Sequence, residues 1–173
     1  LGTNNTIENC NISWNTRGIW LDECRRNKTM NCTINHNTQW GFSIYADGYY
    51  NTLDGCEILY NGIGIWFHCT GGALRNEVRR CRIGYNNTDI WGGGALNYYH
   101  HNNFVGNVVI RPEFLRFFFN YWANYKGNDA NGDGFGDMPH YYGEKIESSC
   151  DKFPLIAPFD ALTDITPPYI AHA

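Results

Sequence analysis

The sequence predicts an all-β fold: a right-handed parallel β-helix (solenoid) of about five coils with a C-terminal calcium-loop cap. Three observations carry that reading. An eight-residue motif recurs at a period of 22 to 25 residues. Asn and Gly, residues suited to tight corners, are spread along the whole chain. A calcium-type acidic loop follows the last repeat.

The repeats align as NTIENCNI from Asn5, NKTMNCTI from Asn27, NTLDGCEI from Asn51 and NEVRRCRI from Asn76, with a weaker fifth copy, NFVGNVVI, from Asn103. Cys10, Cys32, Cys56 and Cys81 share one phase, and Asn107 is expected in that slot of the fifth copy. Each unit holds a second apolar stretch, GIWL at Gly18, GFSIY at Gly41, GIGIWF at Gly62 and TDIWGG at Thr88. Strands this short cannot bury a face alone, so stacking one coil on the next at roughly 4.8 Å is what makes them stable. A sandwich has no fixed period, and a leucine-rich solenoid needs a Leu signature that is missing here.

Composition narrows the partners. Of the 173 residues, 43% are hydrophobic and only 17% charged, enough apolar side chain for a packed core. The net charge of −4 argues against nucleic acid, which needs clustered Lys and Arg. No run approaches the 18 or so consecutive apolar residues of a membrane helix. The chain starts at Leu1 rather than Met, which reads as a processed or excised segment. Sequons at Asn4, Asn11, Asn27, Asn31 and Asn86 are glycosylation candidates and point to an extracellular or cell-surface setting.

Four in-phase cysteines should stack as an inward column of small buried hydrophobes, with adjacent pairs near enough for a disulfide. A Cys32→Ser change should then leave a hydroxyl without a partner. Cys24, Cys69 and Cys150 complete a set of seven, and the absence of a CxxC pair argues against zinc.

These repeats resemble those of the NosD-like, or carbohydrate-binding and sugar-hydrolase, β-helix group common in archaeal surface proteins, with Cys in place of one ladder Asn. The stretch NYWANYKGNDANGDGFGDMPH from Asn120 to His140 and DKFPL at Asp151 are similar to that group's C-terminal ending. The repeats, the acidic loop and the Pro167-Pro168 pair divide the chain into residues 1–119 as the β-helix, 120–160 as a cap, and 161–173 as an extended tail or linker.

Within the cap, Asp129, Asn131, Asp133, the Phe135 carbonyl and Asp137 occupy loop positions 1, 3, 5, 7 and 9 of a calcium loop, and Gly134 permits its sharp turn. His140 stands where a bidentate Glu belongs, so Glu144, Glu147, Asp151 or water would complete a structural Ca2+ site.

Glu23 and Asp47 are weak catalytic candidates: on adjacent coils they could reach the ~5–5.5 Å carboxylate spacing of a retaining glycosidase. Trp20, Tyr45 and Trp66 share a phase and suit stacking on sugar rings. His100 and His101 should point to opposite faces of a strand. The reading that follows is a non-catalytic, calcium-stabilised module of a surface coat or filament, self-associating head-to-tail or as a lattice. A carbohydrate-binding module is the alternative, distinguished by an exposed aromatic row. A polysaccharide lyase or glycosidase comes third, distinguished by converging carboxylates.

Overall fold

The computed structural model describes residues 2–68, 73–93, 96–112, 115–142 and 150–159. Cys69, Glu144, Glu147 and the 161–173 tail lie outside them.

Five three-stranded coils are present among these residues. The first holds β1 (Thr6–Glu8), β2 (Asn11–Ser13) and β3 (Arg17–Asp22), and the second β4 (Lys28–Met30), β5 (Thr33–Asn35) and β6 (Trp40–Tyr45). The third holds β7 (Thr52–Asp54), β8 (Glu57–Leu59) and β9 (Ile63–Phe67), and the fourth β10 (Glu77–Arg79), β11 (Arg82–Gly84) and β12 (Thr88–Gly92). The fifth holds β13 (Asn97–His100), β14 (Asn103–Val105) and β15 (Ile110–Pro112). A partial sixth coil follows as β16 (Leu115–Phe118) and β17 (Tyr121–Trp122), so parallel pairing runs on to Trp122. The antiparallel pair β18 (His140–Tyr141) and β19 (Cys150–Asp151) lies beyond.

Every strand pairs with its counterpart one coil away, giving parallel sheets ordered β1-β4-β7-β10-β13-β16, β2-β5-β8-β11-β14-β17 and β3-β6-β9-β12-β15. Register converts the repeat into core columns. Ile34, Ile58, Ile83, Phe104 and Trp122 stack in the second sheet, and Thr29, Leu53, Val78, Tyr99 and Phe117 in the first. Phe42, Ile65, Ile90 and Ile110 stack in the third. The side chains grow toward the C-terminal coils, where Phe104 and Trp122 stack at 4.3 Å.

The fifth repeat differs from the expected alignment. Its first strand opens at Asn97, and Asn102, not Asn107, takes the cysteine slot, because the Cys81 N–H donates to Asn102 Oδ1 at 2.9 Å. The fourth coil has shortened, with ladder residues Asn76 and Asn97 only 21 residues apart, which brings the fifth repeat in early.

Asn does less at the corners than composition suggests and more inside the coils. Asn5, Asn27, Asn51, Asn76 and Asn97 form one column, in which each Oδ1 accepts the backbone N–H of the Asn one coil before, at 2.8 to 3.0 Å. Asn15, Asn37, Asn61 and Asn86 form a second, closed by Asp89. The corners meanwhile hold residues at positive φ of many types: Asn9, Asn31, Gly55, Arg80, His101 and Phe119 occupy equivalent places at φ between 51° and 63°. An amide that satisfies two donors and two acceptors is the natural occupant of a buried, repeating backbone corner.

The cysteine column is the third such ladder. Cys10, Cys32, Cys56 and Cys81 are free thiols, and all but Cys10 are buried. They are more than packing. The N–H groups of Cys10, Cys32 and Cys56 donate to the next sulfur at 3.5, 3.4 and 3.4 Å, and Cys32 Sγ donates to the Met30 carbonyl at 3.1 Å. A serine hydroxyl at position 32 would therefore have partners, which removes the reason for expecting a penalty there.

Candidate functional site

The outer face of the third sheet gathers the tryptophans Trp20, Trp40, Trp66 and Trp91, with Tyr45 beside them. Within β3, Ile19 points into the core while Trp20 and Asp22 face solvent. Pairing then lines up three outward rows: Arg17, Trp40 and Ile63; Trp20, Ser43, Trp66, Trp91 and Arg111; and Asp22 with Tyr45, followed by His68. Aromatic residues that a chain of coils brings to one face are spaced by the strand separation alone, about 4.8 Å per coil.

The rings form a connected surface. Trp40 lies 5.0 Å from Trp66, Trp66 5.1 Å from His68, His68 4.4 Å from Tyr45, Tyr45 5.9 Å from Trp20, and Trp20 6.2 Å from Trp40. At the middle of the circuit is Ser43, buried beneath the rings, and its small side chain leaves room for three indoles to tilt over it. Trp20 remains 45% exposed and Trp91 42%. The Arg17 guanidinium sits over Trp20 and Trp40 at 4.7 and 4.6 Å, and Arg111 sits over Trp91 at 5.2 Å.

A second aromatic column behaves differently. Trp14, His36, Tyr60 and Tyr85 stack ring on ring at 4.4, 5.2 and 5.3 Å along the corner after the second sheet. Their inner faces are already used, so this column presents edges, with Trp14 (78% exposed) at its open end.

The expected catalytic pair is not brought into register. Asp22 pairs with Tyr45, so Glu23 corresponds to Ala46, and both sit at matching corners at φ 48° and 49°. Asp47 falls one position later and accepts a hydrogen bond from Tyr49 Oη at 3.2 Å. One extra residue in that turn is enough to break the phase. His100 and His101 also depart from expectation. The positive φ of His101 interrupts strand alternation, and the two Nδ1 atoms lie 2.9 Å apart, with His100 Nε2 2.8 Å from Glu77 Oε1. Burial, then His100 and Arg80, lowers the His101 pKa to about 4.

In the acidic loop, the Asp129 carboxylate accepts N–H groups from Gly132, Asp133 and Gly134, and Asp137 accepts that of Ala130. Asn131 and Phe135 donate to Asp133 at 2.9 Å each. Among the described residues no three His, Cys, Asp or Glu side chains converge to hold a metal. Asp151 serves elsewhere. Fully buried, it accepts from the N–H groups of Phe119, Asn120 and Phe153, from Asn120 Nδ2 and from Trp122 Nε1, closing the third ladder. Of the glycosylation candidates, Asn4, Asn11 and Asn31 are exposed. Asn27 and Asn86 are buried ladder members.

Trp20, Tyr45 and Trp66 were legible from phase. Trp91 could have been found from the Ile-Trp pair that GIGIWF and TDIWGG share. Trp40, Arg17 and Arg111 needed the register.

Residues 1–113 match the family model described as a right-handed β-helix region. No curated protein matches the chain, and no solved structure does. With its parallel coils and a match over more than half its length, the chain belongs to the right-handed β-helix family.

Proposed function

We propose that the chain is a carbohydrate-binding module whose recognition face is the third sheet. The observation that carries this is the aromatic surface of Trp20, Trp40, Tyr45, Trp66 and Trp91 across four consecutive coils, exposed at Trp20, Tyr45 and Trp91 and half-buried at Trp40 and Trp66. Sugar rings present apolar C–H faces that stack on indoles, and a flat row repeating along the solenoid axis suits an extended polymer. Burial of such rings contributes much of the affinity at aromatic binding surfaces. The resemblance of the repeats to the NosD-like group and the three exposed sequons support an extracellular surface protein as its setting.

Affinity electrophoresis through polysaccharide-containing gels tests the reading. Trp20→Ala and Trp66→Ala should each weaken retention about tenfold or more with the β-sheet circular dichroism unchanged. Retention indifferent to both changes overturns it.

Two further assignments belong with this reading. Ca2+ is the ligand of the Asp129–Asp137 loop: its three carboxylates and the Asn131 and Phe135 oxygens are the hard donors calcium prefers. Self-association head-to-tail or as a lattice is the second assignment, because a head-to-tail contact between stacked coils need not close. Sedimentation showing only monomer at micromolar concentration would remove that assignment.

A further inference from the structure

The geometry points to an anionic glycan, a polymer carrying carboxylate or sulfate groups, as the ligand of the third sheet. The inference rests on the carbohydrate-binding reading above and adds the charge class of the ligand.

Arg17 and Arg111 stand in the first and last strands of that sheet, with the tryptophans between them. They are four strand spacings apart along the axis, roughly 19 Å. Both are exposed, and neither forms an ion pair among the described residues. Arg79, Arg80 and Arg82, by contrast, are each held by Asp54, Glu77 or Glu57.

The two guanidiniums are also pre-positioned. Arg17 lies on two indoles, and its Nε donates to Gln39 Oε1 at 3.0 Å, which fixes the plane and leaves the Nη edge outward. Arg111 lies on Trp91. A stacked guanidinium loses little further freedom when it takes a carboxylate or sulfate in bidentate fashion.

A neutral polymer seated on the same rings would cover both cations without pairing them, and burying unpaired charge is costly. An anionic one turns that cost into charge-assisted hydrogen bonds. Asp89 of β12 is buried and taken up by Asn86 and Val109, and the exposed acid of the face, Asp22, is at the far end of β3 from Arg17, about 16 Å along the strand. It therefore sits beside the aromatic track instead of across it.

The test is affinity electrophoresis of the intact chain in gels containing polygalacturonate, dextran sulfate or neutral hydroxyethylcellulose. Wild type is compared with Arg17→Gln/Arg111→Gln, with Trp66→Ala, and with Arg25→Gln/Arg26→Gln as an equal charge change away from the face. Retention by one or both anionic polymers should exceed that by the neutral one about tenfold. It should fall with added salt and drop about tenfold in the Arg17/Arg111 variant, but not in the Arg25/Arg26 variant. Retention by polygalacturonate alone, or by dextran sulfate alone, identifies the anionic group. Equal retention by the neutral polymer, or equal loss in both arginine variants, overturns the inference and leaves the carbohydrate reading standing. Absence of Trp66-dependent retention in every gel overturns both.

Discussion

The backbone N–H of Cys81 donates to Asn102 Oδ1 at 2.9 Å, at the point where a column of thiols becomes a column of amides. Before it the acceptors are sulfurs, and after it the Asn102 N–H meets Asn120 Oδ1 at 3.0 Å. Sulfur and amide oxygen do one job in this position, accepting the N–H of the preceding coil.

A substitution series at Cys56 checks that equivalence. Cys56→Ala strands the buried Cys32 N–H and should cost about 1–3 kcal/mol. Cys56→Asn supplies a new acceptor in a slot that admits Asn two coils on, and should cost less. Denaturation midpoints in which Ala is the milder change would reduce the column to packing.

Asp151 should be hard to replace. Burial raises its pKa, against the pull of its donors from Asn120, Trp122 and Phe153. Asp151→Leu leaves those donors unpaired in the interior and should destabilise by about 3 kcal/mol or more. Urea unfolding measures it. A loss under about 1 kcal/mol would mean that water satisfies the site.

Tyr99 offers the opposite sign. Its ring is fully buried between Phe67 and Phe117, and its hydroxyl has no hydrogen-bond partner among the described residues. Tyr99→Phe keeps the stacking, removes a desolvated group, and should raise stability by about 1 kcal/mol. A fall in melting temperature would reveal a hidden partner.

Much of this was legible in the sequence, for a physical reason. In a solenoid one coil predicts the next, so Cys10, Cys32, Cys56 and Cys81 announce the period and the phase together. What could not be read were small departures from that period. The shorter fourth coil moved the next ladder residue to Asn102, and one extra turn residue put Asp47 out of step with Glu23. The ladder role of Asn was hidden for another reason: the same amide that suits a turn also suits a buried corner, and only burial separates Asn27 from Asn31.

Acid should act through His101. Its folded pKa of about 4 is below the ordinary 6.5, so the fold favours the neutral ring. The stabilisation is complete above pH 6.5 and is lost as pH falls from 6.5 toward 4. Discounted for the partial exposure of the ring, the loss is about 1–2 kcal/mol. His101→Phe matches Phe119 at the equivalent corner and should narrow the difference between melting temperatures at pH 7.5 and 4.5. An identical pH dependence in the variant would exclude His101 as the cause.

The acidic loop yields a metal prediction. Asp129, Asp133 and Asp137 crowd three carboxylates into one loop, and a divalent cation would relieve their repulsion. Added calcium should raise the melting temperature, and chelation should expose residues 127–139 to protease. A melting temperature indifferent to calcium titration would leave the loop an ordinary turn.

Two of the three ladders finish on an aspartate. Asp89 accepts both the N–H and the Nδ2–H of Asn86, and Asp151 does the same for Asn120. An asparagine passes the pattern on because its amide both receives from one side and gives to the other. Aspartate can only receive. Exchanging one NH2 for one O thus works as a termination signal, and the number of coils each ladder spans is written in a single atom. Repeat insertions in this chain should therefore be tolerated upstream of Asn86, where all three relays are still open.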